Sequence, residues 1–156
     1  VGSRDLPIRP TGDGTYRLDL GTAERDLVRS LTSQLRTLLT TSDSPALQRL
    51  FPPPYGDDAE RNAGYAALAG PELVEARLAA LDVVERTLDA DEVDADDLEA
   101  WMRSINDVRL VLGTVLEITD DGEPPQVGDD NAATFAAYEF LGALLDLVVE
   151  VLAEDL

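Results

Sequence analysis

The chain has 156 residues, 32 of them Asp or Glu against 12 Arg, with no Lys, His or Cys and a formal net charge of −20. The missing residue types exclude disulfides and thiolate chemistry, the usual histidine base and metal ligand, Schiff-base chemistry and a phosphate-binding P-loop. The charge argues against direct binding of nucleic acid or of an anionic membrane surface, because both depend on cationic side chains meeting phosphate.

Near the N-terminus, Thr11-Gly12-Asp13-Gly14 is turn chemistry, and Thr15-Tyr16-Arg17-Leu18-Asp19-Leu20 alternates with period two. This predicts a short strand, half of a hairpin with Leu6 to Arg9. A lone ribbon is marginal and must lie on the helices. From Thr22 the period becomes 3.6: Leu27, Leu31, Leu35 and Leu38, flanked by Val28 and Leu39, predict an amphipathic helix of about 18 residues. Ser44-Pro45 starts a short helix, which Pro52-Pro53-Pro54 ends. Asp57-Asp58 cap a brief helix through Ala69, and Gly70-Pro71 opens another to about Leu88, with Val74, Leu78, Leu81 and Val84 inward.

The next helix is marked most clearly. Asp94 is its N-cap with Asp97 at the third position, and Leu98 can pack back on Val93. Leu98, Trp101, Ile105, Val108, Leu112 and Val115 then recur every three or four residues. Glu117 to Asp130 is a loop with six acids and two prolines. The last helix, from about Asn131, is apolar round most of its circumference: Phe135, Tyr138, Leu141, Leu144, Leu145, Val148, Val151 and Leu152. That pattern predicts a central helix or one that contacts a partner.

The expected fold is therefore mainly α. It is a single-domain helical bundle of four longer and one or two short helices with a small N-terminal β-strand or hairpin. Residues 1–21 form the β appendage, 22–116 the helical part, 117–130 the acidic loop and 131–156 a central C-terminal helix. The 44% apolar content supplies a core, and a chain of this size can bury roughly 68–70% of its unfolded surface. Arginine without lysine fits a GC-rich genome, and the acidic excess would also suit a saline habitat. Val1-Gly2-Ser3 opens no signal peptide and no run reaches the roughly 18 apolar residues of a membrane span. The expected location is cytoplasmic.

Among candidate sites, Asp89 to Glu99 is densely acidic but does not fit a calcium loop: position five is Val93, position six is Asp94 and position twelve is Ala100. An acidic helix N-terminus is the simpler reading. Pro52-Pro53-Pro54-Tyr55 matches a WW-domain ligand only formally; a rigid loop with Phe51 and Tyr55 packed inward accounts for it. Asn106, Arg109 and Gly113 share a helix face at i, i+3 and i+7. Arg109 is the last basic residue, followed by eleven acids, and is expected to pair with a carboxylate from another helix. A deep pocket in which two or more of Asp107, Glu139 and Asp146 converge, with bound magnesium or calcium, would favour a metal or carboxylate enzyme. No catalytic, cofactor or metal residue is assigned.

Three segments resemble a known family. Arg49-Leu50-Phe51-Pro52-Pro53-Pro54-Tyr55 with Asp57-Asp58, then Trp101 with Ile105-Asn106-Asp107-Val108-Arg109-Leu110-Val111-Leu112-Gly113, then Tyr138-Glu139-Phe140-Leu141-Gly142, are similar to signatures of the actinobacterial oxidative stress regulator family, formerly a domain-of-unknown-function family. The resemblance implies a non-enzymatic regulator that responds to oxidative stress by associating with an alternative sigma factor, with a cysteine pair as the redox switch. The 156 residues hold no cysteine, so that switch cannot operate within them.

The charge is also uneven. Residues 1–86 hold 13 acids and 10 arginines, whereas residues 87–156 hold 19 acids and 2 arginines. The surface around Asp91, Glu92, Asp94 and Asp96 is thus expected to attract a basic protein partner, a sigma factor or another transcription component. A structural homodimer is the further alternative.

Overall fold

A computed structural model describes residues 6–41, 50, 54–116, 128 and 131–154. The hairpin forms from β1 (Ile8–Pro10) and β2 (Thr15–Leu18), with Ile8 opposite Leu18 and Pro10 opposite Tyr16. Gly12 and Gly14 take φ of 93° and 84° in the turn, a region open to glycine at no steric cost. Pro10 is tolerated because β1 is an edge strand.

A third strand, β3 (Glu92–Asp94), pairs antiparallel with β2 and completes the order β1-β2-β3. The sequence pattern marks Val93 only as a helix staple. In the fold it is 3% exposed and lies opposite Tyr16, which is fully buried. The buried sheet face, Ile8, Tyr16, Leu18 and Val93, belongs to the same core as the helices.

Helix α1 (Thr22–Thr41) buries Val28, Thr32, Leu35 and Leu39. Its buried line is centred one residue beyond the Leu27–Leu31 ridge, and the Thr32 hydroxyl donates to the Val28 carbonyl at 2.9 Å. Helix α2 (Ala59–Thr87) is continuous for 29 residues with Pro71 inside it, which corrects the expected break at Gly70-Pro71. The break signal is local. It is outweighed by Leu78, Leu81, Val84 and Leu88, which join the core. Asp58 is its N-cap, accepting from the Arg61 N–H at 3.1 Å. The expected short helix from Ser44 lies outside the described residues.

Helix α3 (Ala95–Val115) begins with the predicted capping box: Asp94 accepts from the Asp97 N–H at 2.8 Å and Asp97 accepts from the Asp94 N–H at 3.3 Å. It packs on α1, α2, β2 and β3, and most extensively on α4 (Ala132–Glu154). The central helix among the described elements is therefore α3. The last helix buries one line, Ala137, Leu141, Leu144, Val148 and Val151, against α3 and β1, and leaves Val149 47% exposed. A broad apolar circumference does not translate into burial on all sides.

Arg25 ties these layers together. Its guanidinium donates to the carbonyls of Leu18, Leu20, Leu88 and Ala90 at 2.7–3.1 Å, joining the end of β2, the start of α1 and the α2–β3 turn. Nothing in the local sequence announces that role.

Candidate functional site

The acidic segment is held rigidly by the short strand. Because Val93 points into the core, Glu92 and Asp94 must point out, and Asp91 is fixed through its carbonyl, which accepts from the Leu18 N–H at 2.8 Å. Asp91, Glu92, Asp94 and Asp96 are all exposed. The flanks of the segment are compensated: Asp89 receives Arg29 at 2.8 Å, and Asp97 lies 3.6 Å from Arg86. Its centre is not. Asp91, Glu92 and Asp96 have no ion pair among the described residues, and the Asp94 carboxylate is occupied in capping α3. The second half of the expected acidic surface, Glu117 to Asp130, lies outside the described residues apart from Gly128.

Of the signature residues, Arg49, Phe51, Pro52 and Pro53 lie outside the described residues. Tyr55 does not pack inward as expected: it is 48% exposed, with the Arg61 guanidinium 5.8 Å from its ring centre. Gly56, at φ 58°, turns the chain there, and Leu50 supplies the buried apolar side chain instead. Asp57 is exposed and Asp58 caps α2. Trp101 is fully buried, its indole N–H donating to the Thr87 hydroxyl at 2.8 Å.

The signature on α3 splits across three environments. Asn106 is exposed and Gly113 buried. Asp107 is buried and receives Arg77 of α2 at 2.6 Å, while the other arm of Arg77 donates to the Leu50 carbonyl at 3.0 Å. Burial pushes the Asp107 carboxyl above its ordinary value and outweighs the opposing pull of Arg77. Beside this pair, a groove of about 320 Å³ opens between α2 and α3, lined by Leu73, Arg103, Asn106 and Leu110.

Arg109 corrects the expectation of a carboxylate partner. Its guanidinium lies 4.6 Å from the Tyr138 ring centre, and its Nε is buried with no hydrogen-bond partner among the described residues. The group is pressed so closely on Gly142 that a Cβ there would sit 3.1 Å from Nε. Tyr138 and Gly142, one turn apart, form a slot for a flat cation. That spacing is the available signal, and it lies within the family-like segment. Arg77, whose sequence context is unremarkable, supplies the buried ion pair instead.

The three acids of the enzymatic alternative do not form a metal-holding group. Asp107 is committed to Arg77, whereas Glu139 and Asp146 are exposed on α4. Among the described residues, no group of three or more acidic, His or Cys side chains could hold a metal ion, and no helix is long and apolar enough to cross a membrane.

Comparison with known proteins adds a relationship. Residues 5–152 match the family described as Domain of unknown function (DUF2017). The chain is similar to proteins named Oxidative stress regulator AosR in Mycobacterium tuberculosis and Mycobacterium bovis. Each is 32% identical over 126 residues, covering 69% of this chain and 58% of the relative. The chain thus spans less than two thirds of the length of the curated relatives it matches. No solved structure matches it.

Proposed function

Because the chain belongs to the actinobacterial oxidative stress regulator family that shares the DUF2017 domain, we propose that it is a regulatory interaction module of an oxidative stress response. In this reading residues 1–156 act as one helical domain in the cytoplasm, without catalysis. The partner is a protein with a basic segment, such as a sigma factor or another transcription component. One observation carries the reading: Asp91, Glu92 and Asp96 stand exposed at the strand–helix junction, with no ion pair among the described residues. Their charge is not needed to pair within the fold, and it accelerates encounter with an oppositely charged surface.

The test is kinetic. Captured partner is applied to the immobilised protein at low and high salt. The association rate falls about tenfold or more as salt rises, while dissociation changes little. Neutralising Asp91, Glu92, Asp94 and Asp96 together, as Asn or Gln, reproduces the high-salt rate at low salt. A rate indifferent to both changes refutes the reading.

Stress sensing by this segment cannot use thiols. Met102 carries its only sulfur and is half-buried. Peroxide should leave partner affinity unchanged in the Met102→Leu variant, as measured by titration before and after oxidation.

A further inference from the structure

Two depressions between α2 and α3 form one trough. The groove of about 320 Å³ beside the Arg77–Asp107 pair is followed, toward the sheet, by a second of about 210 Å³ lined by Ala79, Val83, Asp96 and Glu99. Ala76, Ala80 and Arg103 line both, so the two are continuous. The helices run antiparallel here, since α2 ends and α3 begins at the sheet. Leu73 accordingly shares the far depression with Leu110, and Val83 shares the near one with Asp96. At 1.5 Å per residue the trough runs about 15 Å along α2, from Leu73 to Val83, and about 21 Å along α3, from Asp96 to Leu110.

The walls carry a definite charge order. Asp96, Arg103 and Leu110 follow one another at seven-residue steps along one line of α3, with Glu99 beside them. On α2, Glu72, Ala76, Ala79 and Val83 lie on one line in the same way. From the sheet outward the order is therefore acidic at Asp96 and Glu99, basic at Arg103, then apolar with Glu72 on the rim. All four charged side chains are exposed, and Leu73, Val83 and Leu110 are half-buried between them.

The shape of the trough selects what can lie in it. A strand or irregular peptide would find no backbone partner there, because the N–H and C=O groups of these stretches bond within α2 and α3. A helix brings its own backbone bonds. The furrow between two packed helices accepts a third at an axial distance of about 8–10 Å, and the approach is closest where the facing side chains are small.

We propose that the trough docks an amphipathic helix of the protein partner, continuing from the basic segment that the acidic junction attracts. The proposal takes its partner from that reading, and Asp96 belongs to both surfaces. Charge complementarity defines the occupant. It is a helix of about 14 residues, the length of the α3 wall, with apolar side chains at i, i+3, i+4 and i+7 facing the alanines. Basic side chains stand in the turn over Asp96 and Glu99 and in the turn beside Glu72, and one acid stands midway over Arg103. The junction then governs encounter, and the trough governs how long the complex lasts.

A synthetic peptide of that pattern, stapled as a helix with Arg in its end turns and one Glu midway, tests the proposal against the full chain. Fluorescence anisotropy reads affinity and rates, and amide NMR shifts read location. Binding saturates, with shifts centred on Ala76, Ala79 and Arg103. Ala76→Arg with Ala79→Arg, both at exposed positions, fills the trough and weakens binding about tenfold or more. Arg103→Glu also weakens it, and a peptide with Arg in place of the central Glu restores it. Neutralising Asp91 and Glu92, which lie outside the trough, lowers the association rate alone. If that rate does not respond while the trough variants still weaken binding, the junction reading fails and the docking does not. Shifts confined to Asp91 through Asp96, or an affinity that ignores the trough variants and the exchange at Arg103, overturn the docking and leave the junction reading in place. No binding at millimolar peptide also overturns it. Trough amides that shift with protein concentration alone would assign the site to a second copy. A marked loss of melting temperature in Ala76→Arg with Ala79→Arg would show that the chain itself covers the trough. Either result overturns the proposal.

Discussion

Arg77 donates to a buried carboxylate while Arg109 lies on an aromatic ring, and the two should respond differently to truncation. Arg77→Ala leaves Asp107 charged, buried and unpaired, which costs about 3 kcal/mol even with Arg77 partly open to solvent. Arg109→Ala leaves no orphaned carboxylate among the described residues and removes stacking and stem packing, a loss of about 1–2 kcal/mol. Urea denaturation of the two variants should show that order; equal losses would point to a hidden counter-charge for Arg109. Asp107 adds a pH signature. Its folded-state carboxyl titrates above its unfolded value, so its contribution to stability is full below the unfolded value of about 3.8. That contribution is lost as pH rises through the folded value. The Asp107→Asn variant cannot ionise and should gain stability relative to the parent across that window. A parent–variant difference that is flat with pH would mean the carboxyl is not desolvated.

At the scale of the element, Pro71 is the feature most at odds with its surroundings. A proline inside a helix removes one hydrogen bond and crowds the carbonyl four residues earlier, at a cost of roughly 3 kcal/mol. If α2 runs unbroken through it, as in the structure, Pro71→Ala should raise the melting temperature. An unchanged melt would indicate that Pro71 starts a separate helix, where proline fits without penalty. The helices with one apolar stripe were legible because periodicity reports burial on one side, and the capping box at Asp94 was legible because its residues are adjacent. β3 was not: three residues carry no period, and its Glu92-Val93-Asp94 overlaps a stronger helix-start signal. The continuity of α2 was hidden for a related reason, since Gly70-Pro71 is a local stop that packing further along the chain overrides. The candidate site was legible as a local excess of acid. Which acids are spoken for depends on Arg29, Arg86 and the α3 cap, and the first of those contacts joins residues 60 positions apart in sequence.

For the whole molecule, the charge of −20 is a standing load on the folded state. Self-repulsion disfavours compactness, and the arginines that relieve it are concentrated before residue 87, where 10 of the 12 lie. Ion pairs such as Arg29–Asp89, Arg77–Asp107 and Arg86–Asp97 extend that relief only to acids within reach of α1 and α2. Asp91, Glu92 and Asp96 therefore stay close together and unrelieved. Added salt screens charges beyond about 8 Å at physiological ionic strength. Salt should thus stabilise this protein, the reverse of what a fold held by surface ion pairs would show. The melting temperature is expected to rise from low to moderate sodium chloride and then level off. Neutralising Asp91, Glu92, Asp94 and Asp96 should raise the low-salt melting temperature and flatten its rise with salt. Asn at position 94 keeps the α3 cap, since Asn caps about as well as Asp, whereas Ala there would cost about 1 kcal/mol. A variant that melts with the parent's salt dependence would place the repulsion elsewhere in residues 87–156. The exposed junction would then be free of strain, and its acidity would have no energetic cost for function to offset.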